Sequence, residues 1–289
     1  MLDSGPLSSA EPTIIFLHIG KTGGSSLRTI LRRQFRRDEI LEFRAPPPAE
    51  GRLRRERGLE TFAALPEATR DRARLVMGHA PFGVHAFIPR PSTYVTMLRD
   101  PMKLVVSLYH YIRRTPKHEL HARLMSEGLS LEAFVTSGMS PETDNSQVRA
   151  IAGDTGTPFG ACGPEMLETA KANLEERFAV VGITERFDES LVLLGHAFGW
   201  TRLHYLKANV APAQDRTAPS PEAIGSISAQ NSLDIELYGW ATDRFDRQIA
   251  SDPTFADELA RLQRSIHRYR PIGVLTEEMP RRALARFRR

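Results

Sequence analysis

The chain has 289 residues, 41% hydrophobic and 26% charged, enough for one large domain or two small ones with a true core. Every apolar run is shorter than the roughly 20 residues that cross a bilayer, so no transmembrane segment is expected; a single cysteine, Cys162, excludes a disulfide within the chain and suits a reducing compartment. The formal charge is only +4, yet the cations are nearly all arginine and gather at 32–37, 52–57 and 281–289. Such clusters suit sulfate, phosphate or carboxylate, although most charge runs are solvated faces, and aromatics are too sparse among them to favour single-stranded nucleic acid.

Residues 1–11 read as a flexible N-terminus. The apolar run from Ile14 to Ile19 then predicts a buried strand, followed by a tight turn of Gly20, Lys21, Thr22, Gly23 and Gly24. Ser25 and Ser26 open a helix whose inner face carries Leu27, Ile30, Leu31 and Phe35. A short strand is expected at Ile40–Phe43, a proline- and arginine-rich excursion across 45–58, and a short helix at Leu59–Leu65. Arg74–Gly78 reads as the next core strand and ends at His79; the prolines at 81, 89 and 91 make 80–92 a loop. Thr93–Leu98 is a further strand. Asp100 then suits an N-cap and Pro101 the first position of a helix with Leu104, Val105, Leu108, Tyr111 and Ile112 inward.

Beyond it the pattern predicts a short helix near Leu131–Thr136, a polar segment Thr143–Arg149, an amphipathic helix Pro164–Arg177 and a strand Phe178–Gly182. A helix Phe187–Phe198, a last strand Arg202–Leu206, a loop Ala208–Pro221 and two helices, Asn231–Ala250 and Pro253–Arg268, complete the domain. Strands alternating with helices predict an α/β fold: one P-loop-like domain over 12–270, with a central parallel sheet of about five strands flanked by helices, and a basic tail at 271–289.

The turn at 20–24 has the makings of an anion site, because glycines admit a ligand to the backbone and the first N–H groups of a helix have no internal partners. Lys21 and the hydroxyls of Thr22, Ser25 and Ser26 add donors. The spacing is not that of a nucleoside-triphosphate P-loop, where lysine follows the glycines. In open α/β sheets ligands gather at the carboxyl ends of strands, and three predicted strands end at Lys21, His79 and Arg99. None of the nine histidines forms a metal set with carboxylates or with Cys162.

The stretch His18-Ile-Gly-Lys-Thr-Gly-Gly-Ser-Ser26 resembles the 5′-phosphosulfate loop of carbohydrate O-sulfotransferases of the heparan 2-O-sulfotransferase type. Gly20 stands where that family usually has proline, and Ser25 where it often has threonine. Arg99-Asp-Pro-Met-Lys-Leu-Val-Val-Ser-Leu-Tyr109 is similar to the family's 3′-phosphate segment. The resemblance implies that Lys21, Thr22, Gly23, Gly24, Ser25 and Ser26 hold the 5′ end of 3′-phosphoadenosine 5′-phosphosulfate (PAPS), and that Arg99 and Ser107 hold its 3′-phosphate. Relatives often carry an arginine where Leu104 stands, so that contact is absent or passes to Lys103.

Gly78-His79 matches the point where the family has its histidine base. The catalytic pair implied is thus His79 and Lys21, no metal is required, and the acceptor is a hydroxyl of a glycan or glycoconjugate. His18 is expected to support the turn. The segment 144–153 looks like one bordering the acceptor cleft, 181–188 like a strand-to-helix passage of these enzymes, and Lys207 and Asn209 fall in a loop near the nucleotide. Animal members are as a rule anchored in the Golgi; Met1–Pro12 has neither a basic start nor an apolar core, and a cytoplasmic, bacterial protein is expected. An ATP-dependent phosphotransferase and a non-catalytic polyanion binder are the alternatives. Oligomeric state and acceptor identity have no signature in the sequence.

Overall fold

A computed structural model describes residues 11–43, 54–78, 82–154, 156–206 and 218–273. His79, Lys207, Asn209 and the arginines at 52 and 281–289 lie outside them. The five strands are β1 (Thr13–Leu17), β2 (Ile40–Phe43), β3 (Leu75–Gly78), β4 (Ser92–Leu98) and β5 (Phe178–Ile183). They form one all-parallel sheet in the order β2-β3-β1-β4-β5. Both faces of such a sheet must be covered, which is why β1 and the carboxyl half of β4 are buried at every position rather than at alternate ones.

The helices are α1 (Gly24–Arg32), α2 (Arg54–Ala63), α3 (Glu67–Arg72), α4 (Pro101–Arg113), α5 (His121–Ser126), α6 (Leu131–Thr136), α7 (Ser146–Ala152), α8 (Pro164–Arg177), α9 (Phe187–Phe198), α10 (Pro221–Gln230), α11 (Ser232–Ala250) and α12 (Phe255–Gly273). From β1 the chain turns towards β2; from β4 it turns the other way, towards β5. The order therefore reverses between β1 and β4, and the crevice beyond their carboxyl ends is where such sheets receive ligands. The ladder closes there: Leu17 pairs with Thr96, and the buried Thr96 hydroxyl donates to Leu17 O at 2.9 Å.

Three expectations fail. The loop excursion expected across 45–58 is helical from Arg54, where α2 begins, and α2 ends at Ala63 in place of the helix expected at Leu59–Leu65. Arg202–Leu206 is not a strand; the fifth strand is β2. Leu203 and Tyr205 are buried alternately, as in a strand, but the carbonyls beside them are satisfied by side chains of the chain leaving α1. Arg33 Nη1 donates to His204 O at 2.7 Å, and Gln34 Nε2 to Arg202 O at 3.1 Å. Tyr111, expected in the core, is only half-buried, and Tyr109 takes the inner place with its hydroxyl donating to Leu129 O at 2.8 Å.

The polar segment around α7 is the other departure, being buried although nearly every side chain is polar. Its groups satisfy one another. Asn145, in the left-handed region at φ 48°, accepts at Oδ1 from the N–H groups of Leu233 and Asp234 and so caps α11. Asp234 returns the arrangement by accepting from the N–H groups of Gln147 and Val148 at the start of α7. Asn231 joins them, accepting from Asn145 N and donating to Thr143 O. Asn145→Ala is expected to destabilise the fold by about 1–2 kcal/mol, the usual cost of a lost cap, read by urea denaturation; a loss below about 0.5 kcal/mol would show the reciprocal capping to be incidental.

Candidate active site

The site is built from the chain's exits from β1 and β4. After β1 the backbone makes its turn with Lys21 at φ 64°, a left-handed conformation uncommon outside glycine. Gly23, at φ 79°, is the N-cap of α1 and lies against Phe187 and Thr184. Gly24 has to be glycine for a different reason: a Cβ there would fall 2.0 Å from Nε2 of His18, whose ring covers it. His18 was expected to support the turn by a hydrogen bond; what the structure shows is its ring packed on Gly24. Thr22 is fully buried and its hydroxyl donates to Ile19 O at 2.9 Å, so its side chain shapes the loop. Ser25 is exposed and Ser26 half-buried in the first turn of α1.

Arg99 leaves β4 beside this loop. Its Nη1 donates to the carbonyl of Lys21 at 2.7 Å, a bond that joins the two sequence motifs directly. Its backbone is gripped by the Gln147 amide, which accepts from Arg99 N and donates to Arg99 O, both at 2.9 Å. The buried polar segment around α7 therefore serves to fix Arg99. The guanidinium is not saturated: Nε is buried without a hydrogen bond, 3.7 Å from Oε1 of Glu185. Burial lowers the Arg99 pKa, with Glu185 and Asp100 opposing. Asp100 caps α4 as expected, accepting from Lys103 N at 3.0 Å.

Glu185 and Thr184 follow β5 and carried no sequence signal of their own beyond the passage at 181–188. The Thr184 hydroxyl lies 2.9 Å from both Thr22 O and Leu98 O, sharing its one proton between the loop and the end of β4. Glu185 accepts from Tyr238 Oη at 3.1 Å and lies 4.0 Å from Lys103 Nζ.

The Lys21 ammonium sits 3.9 Å above the ring of Tyr111 on α4. Burial, then Arg114 and Arg99, push it down to about 8 against the raising effect of Glu142. Ser107 stands one turn before Tyr111 on the same helix face and is half-buried. Lys21, Arg99 and the Ser107 face thus meet at one end of the sheet. His79 directly follows β3 but lies outside the described residues. Downstream, His85 is engaged at Nδ1 by the buried Tyr94 hydroxyl at 2.9 Å, and its ring rests against Phe82 and Tyr94.

Lys21, Arg99 and Arg114, beside the N-terminus of α1 and with one Arg99 nitrogen lacking a hydrogen bond, form a place for a ligand with several negative charges. Among the described residues no three His, Cys, Asp or Glu side chains gather as a metal site, and no helix is long and apolar enough to cross a membrane.

Comparison with known proteins places this geometry in a family. The model of the family described as Galactose-3-O-sulfotransferase matches residues 2–284. Galactose-3-O-sulfotransferase 3 of Bos taurus is 29% identical over 274 residues, covering 86% of this chain and 62% of its own. Galactosylceramide sulfotransferase of Homo sapiens is 29% identical, covering 94% and 66%. Heparan sulfate 2-O-sulfotransferase 1 of Xenopus laevis is 24% identical, covering 55% and 48%. The chain thus spans less than two thirds of the length of these relatives. They are carbohydrate sulfotransferases of animals, which overturns the expectation of a bacterial, cytoplasmic protein; that expectation rested on the first twelve residues and a lone cysteine, and neither fixes a compartment. The resemblance read from the two phosphate motifs holds, and the match across nearly the whole sequence makes it specific: the chain belongs to the galactose-3-O-sulfotransferase family.

Proposed function

We propose that this chain transfers the sulfuryl group of PAPS to a hydroxyl of a sugar, with a terminal galactoside as the first acceptor to test. The observation that carries the reading is the 2.7 Å bond from Arg99 Nη1 to Lys21 O, which unites a 5′-phosphosulfate loop and a 3′-phosphate arginine at the point where the strand order reverses. The donor is a substrate with charge at both ends, and the spare Nε of Arg99 and the donors of the loop suit it.

In the reaction the acceptor oxygen attacks sulfur in line. A sulfur–oxygen bond forms to the sugar as the bond to the 5′-phosphate breaks; His79 takes the acceptor proton, and 3′-phosphoadenosine 5′-phosphate departs. As in phosphoryl transfer through a loose transition state, the protein's work is positioning and charge stabilisation. Lys21 and the N–H groups at the start of α1 would meet the charge growing on the departing phosphate. An ATP phosphotransferase is disfavoured because the lysine precedes the glycine pair instead of following it, and Thr22, the hydroxyl after the lysine, is fully buried.

Thermal shift with 3′-phosphoadenosine 5′-phosphate, with ATP and magnesium, and with heparin tests the reading. Only the first is expected to raise the melting temperature strongly; binding at 100 times Kd is worth about 2.7 kcal/mol. Arg99→Ala is expected to weaken that ligand by about 2–4 kcal/mol, with Ser107→Ala costing less. Adenosine 5′-phosphosulfate is expected to bind poorly, and calorimetry giving it the affinity of the 3′-phosphorylated donor would remove the Arg99 assignment.

A further inference from the structure

The sequence pattern puts Tyr111 with the core-facing residues of α4, and the structure puts it elsewhere. Its ring is half-buried and lies under the Lys21 ammonium, 3.9 Å from the centroid, well inside the range of a cation–π contact. Lys21 is otherwise surrounded by like charge, from Arg114 at the end of α4 and Arg99 at the end of β4. Glu142, in the short turn before α7, is the opposing charge; Arg114 also lies over the Tyr111 ring, 6.0 Å from its centroid, and His118 stands edge-on to that ring at 5.6 Å. A lysine so placed is driven away from its site unless something holds it. The carbonyl of Lys21 is held by Arg99 Nη1 and its strained backbone is fixed there; the side chain is held by the ring.

We infer that Tyr111 is the positioning residue for Lys21, its aromatic face keeping the ammonium charged and on the loop side of α4. The inference rests on Lys21 being the residue that assists the departing phosphate. It also gives α4 two duties one turn apart, since Ser107 and Tyr111 share the face turned to the loop. The ring contributes its quadrupole as well as its bulk: leucine would keep the surroundings apolar and lose the attraction, and phenylalanine would keep both.

The test is a pH titration of the full chain labelled with 13Cε-lysine, read by NMR, with Lys21→Ala identifying the resonance. In the wild type it is expected to titrate near 8. Tyr111→Leu is expected to move the midpoint down by about half to one unit, and Tyr111→Phe to leave it in place. With PAPS and lactose as acceptor, Tyr111→Leu is expected to lower kcat about 3- to 10-fold with less than a twofold change in the donor KM, and Tyr111→Phe to restore it.

Should Tyr111→Leu fail to fold, phenylalanines of increasing fluorination at position 111 weaken the ring face at nearly constant shape, and the midpoint is expected to fall stepwise. An unmoved midpoint in that series or in Tyr111→Leu overturns the inference. So does a Tyr111→Phe as impaired as Tyr111→Leu, which would assign the effect to the hydroxyl, or a rise in kcat, which would mean the ring parks the lysine away from the donor. If Lys21→Ala keeps full turnover while the titration shifts as expected, the contact stands and the catalytic reading of Lys21 falls.

Discussion

His79→Ala is expected to fold, to bind 3′-phosphoadenosine 5′-phosphate with near wild-type affinity, and to turn over about 10²–10⁴ times more slowly, the range for loss of an acid–base group. His79 directly follows β3, whose last residue, Gly78, pairs with Leu17 at the end of β1, and Gly78 O accepts from His18 N at 3.3 Å. The chain therefore leaves β3 at Gly78 beside the strand that delivers Lys21. A base must be deprotonated to act, so the wild-type rate is expected to rise with pH on the acid side, and this limb is expected to vanish in the mutant. A histidine that only tied down its loop would behave differently, its loss lowering the melting temperature and nucleotide affinity together. If His79→Ala binds nucleotide and keeps normal turnover, the base is elsewhere.

How much of this was legible in the sequence depended on what each residue's burial requires. Helices with a clear apolar stripe, such as Pro164–Arg177, Phe187–Phe198 and Leu131–Thr136, were found with their bounds, and so was the strand Ile40–Phe43. The strand at 202–206 was misread because alternate burial of Leu203 and Tyr205 looks the same whether the carbonyls pair with a neighbouring strand or with Arg33 and Gln34. α7 escaped because hydrophobic periodicity reports only apolar burial, and its buried groups are satisfied by α11 residues some 86–89 positions away.

In the site, Lys21 and Arg99 were legible as motifs, since glycine spacing and a capped helix start leave local marks. Their mutual bond was not, nor were Gln147, Thr184 and Glu185, whose contacts depend on the strand order. Tyr111 was assigned to the core by its seven-residue spacing from Leu104. It lies at the margin of that stripe, and the ammonium arriving from the β1 turn decides which way it serves.

Lys21→Ala is expected to lower kcat by about 10²–10³-fold, the cost of losing one group aimed at charge that develops in the transition state, while raising the donor KM much less. The split matters because charge on the bridging oxygen is small in the bound donor and grows as the sulfur–oxygen bond breaks. A contact equally strong in both states would appear in KM alone. The pH profile gives an independent reading. Burial and the neighbouring arginines hold the Lys21 pKa down to about 8, so its charged form, the one that stabilises the departing phosphate, is present below that value and lost as pH rises through it. Wild-type kcat/KM for the donor, which reports the free enzyme, is therefore expected to fall on the alkaline side near pH 8. That limb is expected to be absent from the residual activity of Lys21→Ala and to move to higher pH in Lys21→Arg, because a guanidinium stays protonated throughout. An alkaline limb that persists unchanged in Lys21→Arg would assign it to another group, and a mutant that loses only donor affinity would reduce Lys21 to a ground-state contact.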